Sequence, residues 1–272
     1  MLKNKKVKIG IIGCGAIGEG LALFIAKELK EKTSLYALAD MNPEAAIALR
    51  KKIAIKPRVY RIDKLIDGVD LIIEAASVKA ADYILKKAIP KGKPVIILSV
   101  GALIKNLSIL TQARNKGVNI YVPSGAICGA DGLGALSLGG IKSLTLTTSK
   151  PPKGLVGADY LKKKRINLNK LKTTQTVFKG SVKDAVKCFP KNINVAATLL
   201  LASSFKKVKV IIKADPRLKR NVHSIRIEAK EAKINIEVEN MPSRLNPKTS
   251  ALAILSTQYL LRKLFSSFKI GS

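Results

Sequence analysis

With 272 residues, 47% of them hydrophobic, the chain can bury one large core or two of ordinary size, and no apolar run approaches the ~18 residues of a membrane span. Three widely spaced cysteines, Cys14, Cys128 and Cys188, suit neither a disulfide framework nor a zinc site, so no metal is expected; the basic start ahead of Val7 reads as the approach to a strand, not a signal peptide, which points to the cytoplasm. The 50 Lys and Arg against 18 Asp and Glu leave a formal charge of +32, but the lysines are spread along the chain and aromatics make up 4% with no Trp, so the charge reads as a solvated, anion-attracting surface without a specific nucleic-acid partner.

Val7–Ile12 is an apolar run that feeds Gly13-Cys14-Gly15-Ala16-Ile17-Gly18, after which Ile17, Leu21, Phe24, Ile25 and Leu29 recur at helical spacing. A G-x-G-x-x-G between a strand and a helix is a dinucleotide-binding arrangement. Gly13 permits the tight turn, Gly15 lets a pyrophosphate approach the backbone, and Gly18 lets the helix pack on the strand. The N–H groups at the helix start, Ala16 and Ile17 included, meet the phosphates with the positive end of the helix dipole. A second apolar run, Leu35–Ala39, ends at Asp40, an acid placed to accept from an adenosine ribose and to repel a 2′-phosphate. NAD is therefore the expected cofactor, with NADP left open.

Asn42-Pro43-Glu44 supplies a cap and a first-turn proline for a helix to about Lys52. A short strand is expected near Arg58–Tyr60, a buried strand at Asp70–Glu74, a helix over Val78–Ala88 and a strand at Pro94–Ser99. A helix over Leu107–Lys116 and a strand at Val118–Val122 close the series. Strands alternating with helices predict a parallel sheet covered on both faces, with ligands beyond the carboxyl ends of the strands. Residues 123–132 read as a loop of small residues. Beyond it come β-type runs at Leu144–Thr148, Thr173–Phe178, Val208–Lys213, Ser224–Glu228 and Ile234–Val238, and a helix from Asn194 to about Ser203. A tail helix from Lys248 to about Phe265, announced by Pro247, would place Leu252, Leu255 and Tyr259 on one face. The fold class is α/β: a Rossmann-type doubly wound parallel sheet over 1–123 with the tail 246–272, and a second α/β (α+β) domain over 124–245 with a largely antiparallel sheet for catalysis and dimerisation.

His223 is the single histidine of the chain. Oxidation of an amine by hydride transfer needs a base, and imidazole titrates near the working pH. Arg220 and Arg226 are expected to lower its pKa and keep it neutral. On the histidine alone, a packing role in a half-buried strand is equally open. Two rival readings exist. Cys128 with His223 could form an acyl-enzyme, as in an aldehyde (semialdehyde-type) dehydrogenase; or a basic NAD-binding protein without catalysis could sense the dinucleotide while docked on nucleic acid.

Several strings occur together and in order: Gly13-Cys14-Gly15-Ala16-Ile17-Gly18, Pro123-Ser124-Gly125-Ala126-Ile127, Lys150-Pro151-Pro152-Lys153, Phe189-Pro190-Lys191-Asn192-Ile193-Asn194-Val195-Ala196-Ala197, Asp215-Pro216 followed by Asn221-Val222-His223, and Asn246-Pro247-Lys248-Thr249-Ser250. With them the chain closely resembles the L-aspartate dehydrogenase family from about Lys8 to Leu264. It departs from the family in the long, Lys-rich stretch Leu155–Leu171. The resemblance implies NAD(P)-dependent oxidative deamination of L-aspartate to iminosuccinate, which hydrolyses to oxaloacetate and ammonia or supplies the first step of NAD biosynthesis. It also implies a homodimer, His223 as the catalytic residue, and cofactor contacts from the Ala126 N–H and the Asn194 side chain. Asn192 stands close enough to Asn194 that their roles are interchangeable at this stage, and Asn194 also suits a plain helix cap. For a dicarboxylate substrate, Lys248, Thr249 and Ser250 at the start of the tail helix form the candidate anion-binding cluster; an ordinary cap with a surface lysine is the alternative.

Overall fold

The structure, a computed structural model, describes residues 5–189, 193–243, 246 and 249–271. The chain divides into two compact units, Met1–Pro123 with Ala253–Ile270, and Ser124–Leu252 with Gly271–Ser272.

In the first unit, β1 (Val7–Ile12), α1 (Ala16–Glu28), β2 (Thr33–Ala39), α2 (Pro43–Lys52) and β3 (Arg58–Val59) are followed by α3 (Ile62–Gly68), β4 (Leu71–Glu74) and α4 (Val78–Ala88). Then come β5 (Val95–Ile97), α5 (Gly101–Lys105), α6 (Ser108–Asn115) and β6 (Ile120–Tyr121). The six strands are parallel, in the order β3-β2-β1-β4-β5-β6. The order reverses between β1 and β4, the switch point at which such sheets bind ligands. Local chemistry starts the helices as the sequence indicates. Asn42 Oδ1 accepts from Glu44 N at 3.1 Å to cap α2, and Ser77 Oγ accepts from Ala80 N at 3.2 Å to cap α4. The short helices α3 and α5 were not expected, because neither is long enough to show a helical period.

The second unit holds α7 (Ala130–Gly139), β7 (Ile141–Lys150), α8 (Asp159–Lys163), β8 (Gln175–Ser181), α9 (Val182–Cys188) and α10 (Asn194–Ser203). They are followed by β9 (Lys209–Ala214), β10 (Asn221–Ala229) and β11 (Lys233–Asn240). Its five-stranded sheet runs β11-β10-β7-β9-β8, with β7 and β9 parallel and every other pair antiparallel. One face is apolar along most of its length, with Leu144 and Leu146 of β7, Ile225 and Ile227 of β10, and Val210 and Ile212 of β9 all buried. α7 and α10 pack on one another and bury Leu133, Ala196, Ala197 and Leu199. The loop expected over 123–132 ends earlier than expected: Gly129, with φ +78°, turns the chain directly into α7. The Lys-rich stretch is folded too, since Tyr160 of α8 packs edge-on against Phe178 and at a tilt against Phe189, at centroid distances of 5.7 and 5.4 Å.

The tail helix, α11 (Ala251–Leu264), begins three residues later than expected. Its core face is Ile254, Thr257 and Leu261, whereas Leu255 and Tyr259 of the anticipated face are exposed. Burying Thr257 costs little because its hydroxyl donates to Ala253 O at 2.9 Å, one turn back. Of the stretch the sequence assigns to the tail, the described residues Asn246 and Thr249–Leu252 group with the second unit. Pro242 bridges Ser250, Ser243 N donates to Thr249 O at 2.7 Å and Ala251 N to Met241 O at 2.9 Å. Among the described residues no helix is long and apolar enough to cross a membrane.

Candidate active site

The glycine loop joins β1 to α1 at the switch point. Gly13 has φ +103°, and a Cβ there would stand 2.4 Å from Ala75 O at the end of β4. A Cβ on Gly18 would stand 1.9 Å from Gly13 O. At Gly15 the same construction meets nothing within 4 Å, so the space above the loop is open to a phosphate-sized group. Gly15 is also the N-cap of α1 and offers no side-chain acceptor. The first N–H groups of that helix, on Ala16, Ile17 and Gly18, therefore meet neither a carbonyl of their own helix nor a cap. A backbone cradle of this kind fits the pyrophosphate of a dinucleotide.

Asp40, just past β2, reaches the loop: its Oδ2 accepts from Cys14 N at 2.7 Å and its Oδ1 from Asn42 N at 2.9 Å. Each carboxylate oxygen retains a second lone pair for a ribose hydroxyl. Cys14 is buried, its thiol donating to Ala39 O at 3.5 Å, and burial with the nearby Asp40 charge pushes its pKa up to about 12. Glu74, at the end of β4, escaped the sequence reading. Its fully buried carboxylate accepts from Ala76 N at 2.8 Å, Leu98 N at 3.2 Å, Ser99 N at 2.9 Å and Ser99 Oγ at 2.8 Å. Burial raises its pKa while these donors pull it back. The carboxylate ties the end of β4 to the end of β5.

In the second unit His223 lies on the covered face of the sheet, 6% exposed. The register sets it opposite Thr148 of β7 and Val238 of β11. Its Nδ1 lies 3.0 Å from Thr148 Oγ1. Burial first, and the charge of Lys150 second, push its pKa down to about 4. The arginines named as the cause in the sequence reading act elsewhere. Arg226 projects from the opposite face and donates to Asn235 Oδ1 at 3.2 Å, and Arg220 donates to Glu239 Oε1 at 3.3 Å. Both expectations nonetheless lead to a neutral imidazole at pH 7. Cys128 is exposed, and no hydrogen bond among the described residues joins it to His223.

Ala126 is fixed by a residue the sequence reading missed. Asn240 Nδ2 donates to Ala126 O at 3.0 Å, and Asn240 Oδ1 accepts from the Ser250 hydroxyl. Ser250 thus holds the Ala126 loop through Asn240. Thr249 contributes its carbonyl to Ser243 N, and its own N–H donates to Asn246 O at 3.0 Å. Ala251 N is engaged as well, by Met241 O. Lys248 and Asn192 lie outside the described residues. Asn194 is the first residue inside α10, whose cap is Ile193, so the cap reading of Asn194 does not apply. Among the described residues no group of three or more His, Cys, Asp and Glu could hold a metal.

The family model described as the C-terminal domain of aspartate dehydrogenase matches residues 131–264, and one described as the NAD-binding domain of homoserine dehydrogenase matches residues 13–123. The chain is 44% identical to an L-aspartate dehydrogenase of Methanosarcina acetivorans and 43% identical to one of Methanosarcina mazei. Each alignment covers 98% of this chain and 100% of the relative. The crystal structure of an aspartate dehydrogenase from Thermotoga maritima superposes with a TM-score of 0.75 at 28% identity, covering 98% of this chain and 100% of that one.

Proposed function

The chain belongs to the L-aspartate dehydrogenase family, and from that premise we propose that it oxidises L-aspartate to iminosuccinate, which hydrolyses to oxaloacetate and ammonia or is drawn into NAD biosynthesis. The observation that carries this reading is full-length identity of 44% to an L-aspartate dehydrogenase in a chain whose single histidine is buried and neutral. The first unit is an NAD-binding domain and takes a nicotinamide dinucleotide. Gly13, Gly15, Ala16, Ile17 and Gly18 would hold its pyrophosphate, and Asp40 its adenosine ribose, which favours NAD over NADP. The Ala126 N–H and Asn194 would add contacts from the second unit. Such a cofactor would supply the hydride acceptor for oxidation at the substrate Cα.

The chain's own task is proton management. The substrate ammonium must lose a proton before the nitrogen lone pair can form the C=N bond. His223 Nε2 would accept it, while Thr148 at Nδ1 fixes the ring. Once that proton has passed to solvent, the same nitrogen is again free to act as base for the water that attacks the imine. A panel of amino acids with NAD and NADP, followed by absorbance of the reduced cofactor, tests the reading. Preferential turnover of L-aspartate with NAD is expected, and absence of turnover with L-aspartate overturns it.

A further inference from the structure

Lys150 ends β7 two residues beyond Thr148, so its side chain leaves the sheet on the same face. The strand register extends this end of the face into a polar row. Ser149 pairs with Val222, which sets Asn221 beside Lys150, and Asn221 pairs in turn with Asn240. Gly154 lies against both neighbours: a Cβ there would be 3.7 Å from Lys150 Cβ and 3.8 Å from Asn221 Oδ1. The apolar face thus finishes in Thr148, Lys150, Asn221, His223 and Asn240. Of these side chains only Lys150 carries a formal charge at pH 7.

Burial pulls the Lys150 pKa down to about 8, so the ammonium persists at pH 7 in surroundings that disfavour it, and its field reaches the imidazole. L-aspartate brings two carboxylates into a site whose base is His223. We propose that Lys150 is the residue that receives a carboxylate of L-aspartate beside His223, a substrate-binding role assigned here in addition to the base. The inference rests on the aspartate reading above. A carboxylate seated on Lys150 opposes its field at the imidazole. His223 then gains proton affinity when the substrate arrives, the moment at which it must accept a proton.

The single histidine makes the test direct, because tag-free protein gives one imidazole resonance in NMR without assignment. Lys150→Met keeps an unbranched side chain one atom shorter and removes its charge, and Lys150→Arg keeps the charge. Lys150→Met is expected to raise KM for L-aspartate about 10²-fold while leaving NAD affinity within about twofold, and Lys150→Arg to recover part of the loss. In the NMR titration, succinate should move the His223 pKa of the wild type upward from about 4. In Lys150→Met the starting value should be higher and succinate should no longer shift it. An unchanged KM for L-aspartate in folded Lys150→Met, or an equal succinate shift in both proteins, overturns the proposal. If the wild type failed to oxidise L-aspartate, the family-based activity would fall, yet the succinate titration would still decide Lys150 on its own.

Discussion

In the first unit the groups proposed to hold phosphate are backbone N–H groups within six consecutive residues, Gly13 to Gly18. In the second, Thr148, Lys150, His223 and Asn240 are side chains brought together by the register of three strands distant in sequence. The first arrangement is sensitive to a single added methyl and indifferent to most side-chain chemistry. The second tolerates shifts in loops and helices but not the exchange of one functional group. Affinity for the cofactor and chemistry on the substrate should therefore be separable by mutation.

Gly18→Ala should do the most damage. Its Cβ would stand 1.9 Å from Gly13 O, so the loop backbone must move. Dinucleotide binding should be abolished in calorimetry, with a stability loss of about 2–4 kcal/mol in urea titrations. Full NAD affinity in that variant would remove the loop from the cofactor site.

His223→Ala should cut kcat by about 10²–10⁴ and leave NAD affinity unchanged. A folded variant that deaminates L-aspartate at the wild-type rate would move the base elsewhere and make His223 a packing residue.

The pH dependence of stability sharpens the same point. Folded His223 stays neutral down to about pH 4 because of burial and Lys150, whereas an unfolded histidine takes its proton near pH 6.5. Between those values the unfolded chain binds the extra proton. Stability therefore falls as pH drops from about 6.5 to about 4, by about 3 kcal/mol from this residue, and the contribution vanishes above that window. Urea titrations of wild type and His223→Asn should converge in pH slope if the slope arises elsewhere, and differ by this amount if His223 carries it.

Asp40→Ala is the mildest. It should narrow the NAD over NADP preference about tenfold. Because its carboxylate also accepts from Cys14 N and Asn42 N, it should cost about 1–3 kcal/mol of stability as well. A wild type that uses NADP as well as NAD would detach Asp40 from the ribose.

The same contrast explains what could be read from the sequence. Gly13–Gly18, Asp40 and the capped helices α2 and α4 are local, and each announces itself by residue type and spacing. The strands of the second sheet are legible by alternation, and His223 by being alone. The family strings pointed to Ala126 and Asn194. Asn240 and Thr148 were not visible, because their roles depend on pairing between strands that no local pattern specifies. Lys150 stands in one of the family strings, but no role for it can be read there, because only the strand register places it beside the histidine. The tail helix misled because Thr257 is buried through a hydrogen bond to its own backbone, while Leu255 and Tyr259 face outward.

Cys14 turns the glycine loop into its own reporter. With burial pushing its pKa up to about 12, the thiol stays almost wholly protonated at pH 7, and the sulfur is buried. An alkylating reagent should modify exposed Cys128 quickly and Cys14 only when the loop opens. The slow labelling of Cys14, read by mass spectrometry, then measures the opening frequency of the cofactor cradle in the intact protein. Saturating NAD should slow it in proportion to occupancy, and Gly18→Ala should bring it close to the rate of Cys128.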